Sequence, residues 1–212
     1  MKINIRFITL FLIAFILAFS TTGVKLSPAR AAGIIYVDAD ATGTLNGTSW
    51  ANAYRRLQNA LAAATSGDQI WVAGGVYYPD EGTAQVDNDR TSSFILIDGV
   101  SIYGGFAGTE ALLSDRDINA NPTILSGDLD KNDTNTDGNF IAEGTADIVG
   151  NNAYHVIDGS SATTTTILDG FTITAGKADG AAFLQDSGGG MVIWSGSGIF
   201  NNLIFSGNYA IS

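Results

Sequence analysis

A four-residue pattern of two apolar residues, then Asp or Ser, then Gly, recurs through the chain and limits its folds more than any other feature. It appears as Leu96-Ile97-Asp98-Gly99, Ile124-Leu125-Ser126-Gly127, Val156-Ile157-Asp158-Gly159 and Ile167-Leu168-Asp169-Gly170. Two copies continue alike, as Gly99-Val100-Ser101-Ile102 and Gly170-Phe171-Thr172-Ile173. Phe171 and Ile173 share one face and Thr172 and Thr174 the other, the period of two that a half-buried strand requires. A strand that corners at Gly and then repeats is the unit of a solenoid. The pattern therefore predicts parallel strands with Ile102, Ile124, Ile157 and Ile173 stacked inside. The chain has 26 glycines against 3 prolines and no collagen period, which suits a strand-rich repeat with tight corners at positive φ.

The first 31 residues read as an export signal. Lys2 and Arg6 precede an apolar run from Phe7 to Phe19, and Ala29-Arg30-Ala31 supplies an Ala-x-Ala site, which places cleavage after Ala31. The run is too short for the roughly 20 apolar residues that span hydrocarbon. All 21 acidic residues follow this segment. Only Arg55, Arg56, Arg90, Arg116, Lys131 and Lys177 face them there. So acidic a surface argues against nucleic acid and against anionic membranes, whose phosphates call for clustered cations. With no cysteine, disulfides contribute nothing and stability rests on packing.

After the leader, Ile34 to Val37 reads as an opening strand. Thr48-Ser49 offers a helix cap, and Trp50 to Ala64 carries the one strong helical pattern, with Ala53, Tyr54, Leu57 and Leu61 on one face. A helix there closes an end that would otherwise expose apolar interior and unpaired backbone. Residues 32–80 are thus expected to form an N-terminal cap and residues 81–212 the repeated strands, interrupted by polar insertions at 80–90, 128–153 and 175–187. The last unit reaches Ser212 without a closing element, so further repeats are expected beyond it.

The segments Gly47-Thr48-Ser49-Trp50-Ala51-Asn52-Ala53, Asp68 to Tyr77 and Ile102-Tyr103-Gly104-Gly105-Phe106-Ala107-Gly108-Thr109-Glu110 resemble the opening of large bacterial secreted or surface proteins of the pectin-lyase-like group. Gly189-Gly190-Met191-Val192 and Phe205-Ser206-Gly207-Asn208 are similar to repeats of polymorphic outer-membrane proteins. The resemblance implies an all-β, right-handed parallel β-helix with an N-terminal α-helical cap, displayed at the cell surface as an adhesin.

Asp128, Asp130, Asp133, Asn135 and Asp137 are the candidate metal ligands. Asp133-x-Asn135-x-Asp137-Gly138 matches the first half of a calcium loop, but the twelfth position is Gly144 and lacks the bidentate Glu. A solvated acidic loop explains the same residues. Asp158 and Asp169 raise glycoside hydrolysis, which needs two carboxylates about 5–9.5 Å apart; as Asp before Gly, both are ordinary turn residues. A polysaccharide lyase would need a base, for which Arg90, Arg116 and Lys177 are candidates, each equally explained as a surface charge. His155, the single histidine, stands alone at a strand start. Trp71, Tyr77, Tyr78 and Trp194 are candidate sugar platforms or packing residues. The expectation is an extracellular, structural or adhesin-like protein, without catalytic residues or a certain cofactor, that contacts glycans or neighbouring cell surfaces. The alternative is a polysaccharide-binding or polysaccharide-degrading protein.

Overall fold

The structure is a computed structural model that describes residues 31–211. The export signal lies outside the described residues, apart from Ala31. Twelve strands form: β1 (Ile34–Val37), β2 (Gln69–Ala73), β3 (Gly75–Tyr77), β4 (Phe94–Ile95), β5 (Ser101–Phe106), β6 (Thr123–Ser126), β7 (Ile157–Asp158), β8 (Ile167–Thr174), β9 (Lys177–Ala178), β10 (Met191–Val192), β11 (Ile199–Ser206) and β12 (Tyr209–Ala210). Every strand pairing is parallel. The main sheet runs β1-β2-β5-β8-β6-β3, with β11 also paired to β8. A three-stranded sheet, β10-β7-β4, and a pair, β12-β9, accompany it.

The architecture is a curled, half-barrel parallel sheet, which corrects the expected right-handed β-helix. The four tetrapeptides are not equivalent units. Leu96 to Gly99 lies in the turn after β4, Ile124 to Ser126 fills β6, Ile157-Asp158 is the whole of β7, and Ile167 to Gly170 is the first half of β8. Only Gly99 and Gly170 of the four glycines have positive φ. The two matching continuations are also out of register, since Ile102 pairs with Leu168 rather than Ile173. Strands of two to eight residues, joined by connections of very unequal length, set no constant repeat. Instead β8, besides pairing with β11 along its length, serves two further neighbours, meeting β5 through Ile167–Asp169 and β6 through Thr172–Thr174.

The curl has a local cause. Gly170 (φ 87°) follows the Tyr103–Asp169 pair, Gly105 (φ 91°) lies two residues past Tyr103, and Asn202 (φ 47°) breaks β11 one residue after Asn201, the partner of Asp169. Left-handed backbone at neighbouring points in three adjacent strands bends all of them along one line. A side chain on Gly104 would collide with the Gly170 carbonyl oxygen, about 2.4 Å from the position its Cβ would take. Glycine there lets the bent backbones nest.

Ile102, Ile124, Ile157 and Ile173 are all buried, but Ile124 does not stack with the others: it registers with Thr172, and Leu125 takes the place beside Ile173. The core joins Val37, Ile70, Val72, Phe94, Leu96, Leu125, Leu168 and Phe171 to three of these. Each such side chain contributes about 1.5–3 kcal/mol when fully withdrawn from water. The helix α1 is shorter than its pattern, Leu57–Ala63, preceded by a 3₁₀ turn at Trp50–Asn52. Between them Tyr54 is taken by β1: its N–H donates to Tyr36 O, and its carbonyl accepts the Asp38 N–H. Pairing with a strand edge wins over continuing a helix. α1 still buries Leu57, Ala60 and Leu61. Trp71 lies on the outer face of β2, stacked on Phe106 with centroids 4.7 Å apart, beside Trp50 and Tyr36.

Candidate functional site

The three polar insertions, far apart in sequence, meet in one loop surface, and a single side chain joins them. Arg90 of the first insertion donates through Nε to Asn152 O at 2.6 Å in the second. Its Nη2 reaches Lys177 O at 2.8 Å and the Asp179 carboxylate at 2.5 Å in the third. The guanidinium lies 4.1 Å from the centroid of the Tyr154 ring. Backbone bonds reinforce the junction: Tyr154 N–H donates to Arg90 O, and Lys177 N–H to Ala153 O. Asn151 Nδ2 adds a bond to Asn88 O at 2.7 Å. A planar guanidinium presents five fixed donors, which suits binding several carbonyls at once.

Beside this junction lies a cavity of about 200 Å³ lined by Tyr78, Ser126, Asp128, Lys131, Asp133 and Asn135, among others. Asp128 accepts the N–H groups of Asn132 and Asp133 at 3.0 and 3.1 Å. Asp133 accepts Val149 N–H at 2.7 Å and Asn152 Nδ2 at 2.8 Å. Burial pushes the Asp133 carboxyl up to about 6; the Val149 N–H opposes this, and the Asp128 and Asp130 charges add to it. Burial likewise raises Asp128 and Asp80. Tyr78 is pushed up to about 12, first by burial and then by Asp128, Glu81, Asp80 and Asp133. Asp80 Oδ1 and Asn152 Oδ1 are buried without a hydrogen-bond partner among the described residues.

The five candidate calcium ligands divide. Asp128 and Asp130 are near enough for their charges to raise the Asp133 carboxyl. Asn135 faces the same cavity but accepts Gly138 N–H, and Asp137 accepts both Asn139 donors. Asp130 Oδ2 is held by Asn132 Nδ2 and Asn151 N–H. Among the described residues no three His, Cys, Asp or Glu side chains converge as a metal-holding group. A cation there would rely on Asn135, Ser126 and water for much of its oxygen shell.

The other candidates are placed individually. Asp158 and Asp169 sit in different sheets. Asp169 forms a 2.9 Å ion pair with Arg116 and accepts Asn202 Nδ2 at 2.8 Å. Arg116 also donates to Gly104 O and Asp169 O, so it fastens the bend line. Lys177 stands 3.9 Å from Asp179, and His155 Nδ1 is 3.2 Å from Gly188 O. Tyr77 is buried and donates to Ala73 O. Lys131 lies over the ring of Tyr78 and pairs with Glu81. Trp194 is exposed and meets exposed Phe183 edge to face, with centroids 5.1 Å apart. The organising role of Arg90 is not visible in sequence, because its partners lie 62 to 89 residues away and its loop has no motif.

No protein-family model matches the chain, and no curated protein or solved structure is significantly similar to it.

Proposed function

We propose that the protein is exported and serves outside the cell as a structural, adhesive element whose contact surface is the loop platform joined at Arg90. That junction carries the reading. An arginine that holds three insertions at once lowers the conformational entropy each would lose on contact, so the surface is preorganised for binding. The cationic side chains that a lyase would need as a base are used in the same way: Arg90 and Arg116 bind carbonyls and carboxylates within the fold. An acidic platform favours neutral or cationic contacts, which for the alternative polysaccharide partner means an uncharged glycan. The test is to express the full chain in a bacterial host, sequence the mature N-terminus and measure retention of cells displaying it on glycan-coated and bare surfaces. Processing near Ala31 is expected, with retention that falls when Arg90 becomes Met. A cytoplasmic, unprocessed product, or display that adds no retention, would reject the proposal.

A second proposal concerns calcium. What supports it is that Asp128, Asp133, Asn135 and Ser126 turn oxygen atoms to one cavity, where a divalent cation would offset the charges that, after burial, raise the Asp133 carboxyl. With so few charged ligands the affinity belongs in the range of about 0.1–1 mM found for extracellular modules. Urea denaturation with and without calcium, on either side of the Asp133 titration, tests it.

A further inference from the structure

Three Asn-x-Thr tripeptides occur in the chain: Asn46-Gly47-Thr48, Asn121-Pro122-Thr123 and Asn132-Asp133-Thr134. In an exported protein this is the acceptor pattern for an N-linked sugar, with any residue but Pro in the middle, so Pro122 removes the second. The chemistry needs two groups within reach of a transferase: the Asn Nδ2, which makes the new bond, and the hydroxyl two residues on, which the transferase reads. The fold treats the two remaining tripeptides differently.

Asn46 and Thr48 are exposed, and Gly47 between them is buried. Gly47 anchors the tripeptide: its N–H donates to Asn52 O at 2.8 Å, and its carbonyl accepts the Tyr36 N–H at 3.0 Å. The chain turns there with φ 75°, and a Cβ on Gly47 would strike the Tyr54 ring. Asn46 Oδ1 accepts both the Thr48 N–H at 3.1 Å and the Thr48 hydroxyl at 2.7 Å, an Asx turn that holds amide and hydroxyl together at the surface. Among the described residues no acceptor takes the Asn46 Nδ2 hydrogens. Asn132 is also exposed, but its amide is engaged. Its Nδ2 donates to Asp130 Oδ2 at 2.9 Å and its N–H to Asp128 Oδ1 at 3.0 Å. The amide lies against Gly150, where a side chain would collide with both its Oδ1 and its Nδ2. Thr134 is tied by its N–H to Asp147 O at 2.9 Å. A transferase could use Asn132 only by pulling this loop apart.

We infer that Asn46 is an acceptor for an N-linked glycan in the folded chain and that Asn132 is not. Asn46 Nδ2 attacks C1 of an oligosaccharide carried on a lipid pyrophosphate. The C1–N bond forms as the C1–O bond to pyrophosphate breaks, the lipid pyrophosphate leaves, and the amide proton passes to a base of the transferase. The sugar then stands at the β1 margin, where its bulk adds to the Gly47 and Tyr54 pairing that already keeps that edge from a second sheet. In the cell the modification rests on the export proposed above.

The test incubates the folded chain, purified from a host without this modification, with an oligosaccharyltransferase that requires only Asn-x-Ser/Thr and with its lipid-linked donor. Synthetic peptides spanning each tripeptide are treated alongside, and mass spectrometry locates the sugar. Both peptides should be modified, and the folded chain at Asn46 alone, with complete loss in Asn46→Gln and in Thr48→Val and no change in Asn132→Gln. A folded chain left bare at Asn46 would overturn the inference. So would equal modification at Asn132, or an inert Asn132 peptide, which would leave the fold no part in the choice. Export is read separately, from the N-terminus of the secreted product, so its failure is distinguishable from failure of the acceptor site.

Discussion

Asp133 gives the most direct test of how the loop platform is held. Its carboxyl titrates near 6 in the fold against 3.8 in the unfolded chain, so between those values the folded protein keeps a proton that the unfolded chain has lost. The sign follows by linkage: this contribution is complete below about pH 3.8 and is lost as pH rises through 6. A carboxyl raised that far carries about 3 kcal/mol of linked stability. The loop is half-exposed, so solvent screening reduces this to the order of 1 kcal/mol. Urea midpoints at pH 4.5 and 7.5 read it, compared with Asp133→Asn. The amide cannot titrate, and it loses one of the bonds to Val149 N–H or Asn152 Nδ2, an offset of about 1 kcal/mol that does not vary with pH. The parent should therefore lose more stability than the variant between the two pH values, by about 0.5 M urea for a slope of about 2 kcal/mol/M. Parallel curves would refute the reasoning. If calcium binds, millimolar calcium restores the parent at pH 7.5 and leaves it unchanged at pH 4.5. The absence of any response would reject the calcium proposal alone.

Replacing Arg116 by Met leaves Asp169 buried against one remaining donor, Asn202 Nδ2, and should cost about 3–5 kcal/mol by urea denaturation. Adding Asp169→Asn should recover at least about 1 kcal/mol of that loss; a purely additive double mutant would show that the pair does not act as a unit. Gly170→Ala forces a side chain onto φ 87°, with its Cβ 2.9 Å from Arg116 Nη1 and Ile118 Cγ2. A loss of about 1–3 kcal/mol is expected, and an unchanged thermal midpoint would show that the bend is not built on that backbone conformation.

Much of this protein is legible from nearest neighbours along the chain. The alternation in Phe171-Thr172-Ile173-Thr174 puts Phe171 and Ile173 in the core with Ile102 and Ile157, but Thr172 and Thr174 are buried too, and Leu125 rather than Ile124 registers with Ile173, so the period gives the two faces and not which of them is covered. The helical period at Leu57, Ala60 and Leu61 is equally local, and it holds until Tyr54 finds a strand edge to pair with. The ordinary turn chemistry of Asp before Gly fits Asp158, whose Oδ1 accepts the Ser160 N–H, whereas Asp169 lies within β8 and its carboxylate bridges Arg116 and Asn202.

Tertiary structure alone decided the rest. The same tetrapeptide occupies a turn, two whole strands and half of a long one, because four residues encode a strand end and not the strand beside it. The curl depends on left-handed residues in β5, β8 and β11 falling side by side, a matter of register between distant segments. Arg90 reads as a surface charge until its guanidinium is seen on carbonyls of two other loops. Periodicity is a property of adjacent residues, whereas a loop platform is a property of contacts between distant ones, and those exist only once the sheet has brought the loops together.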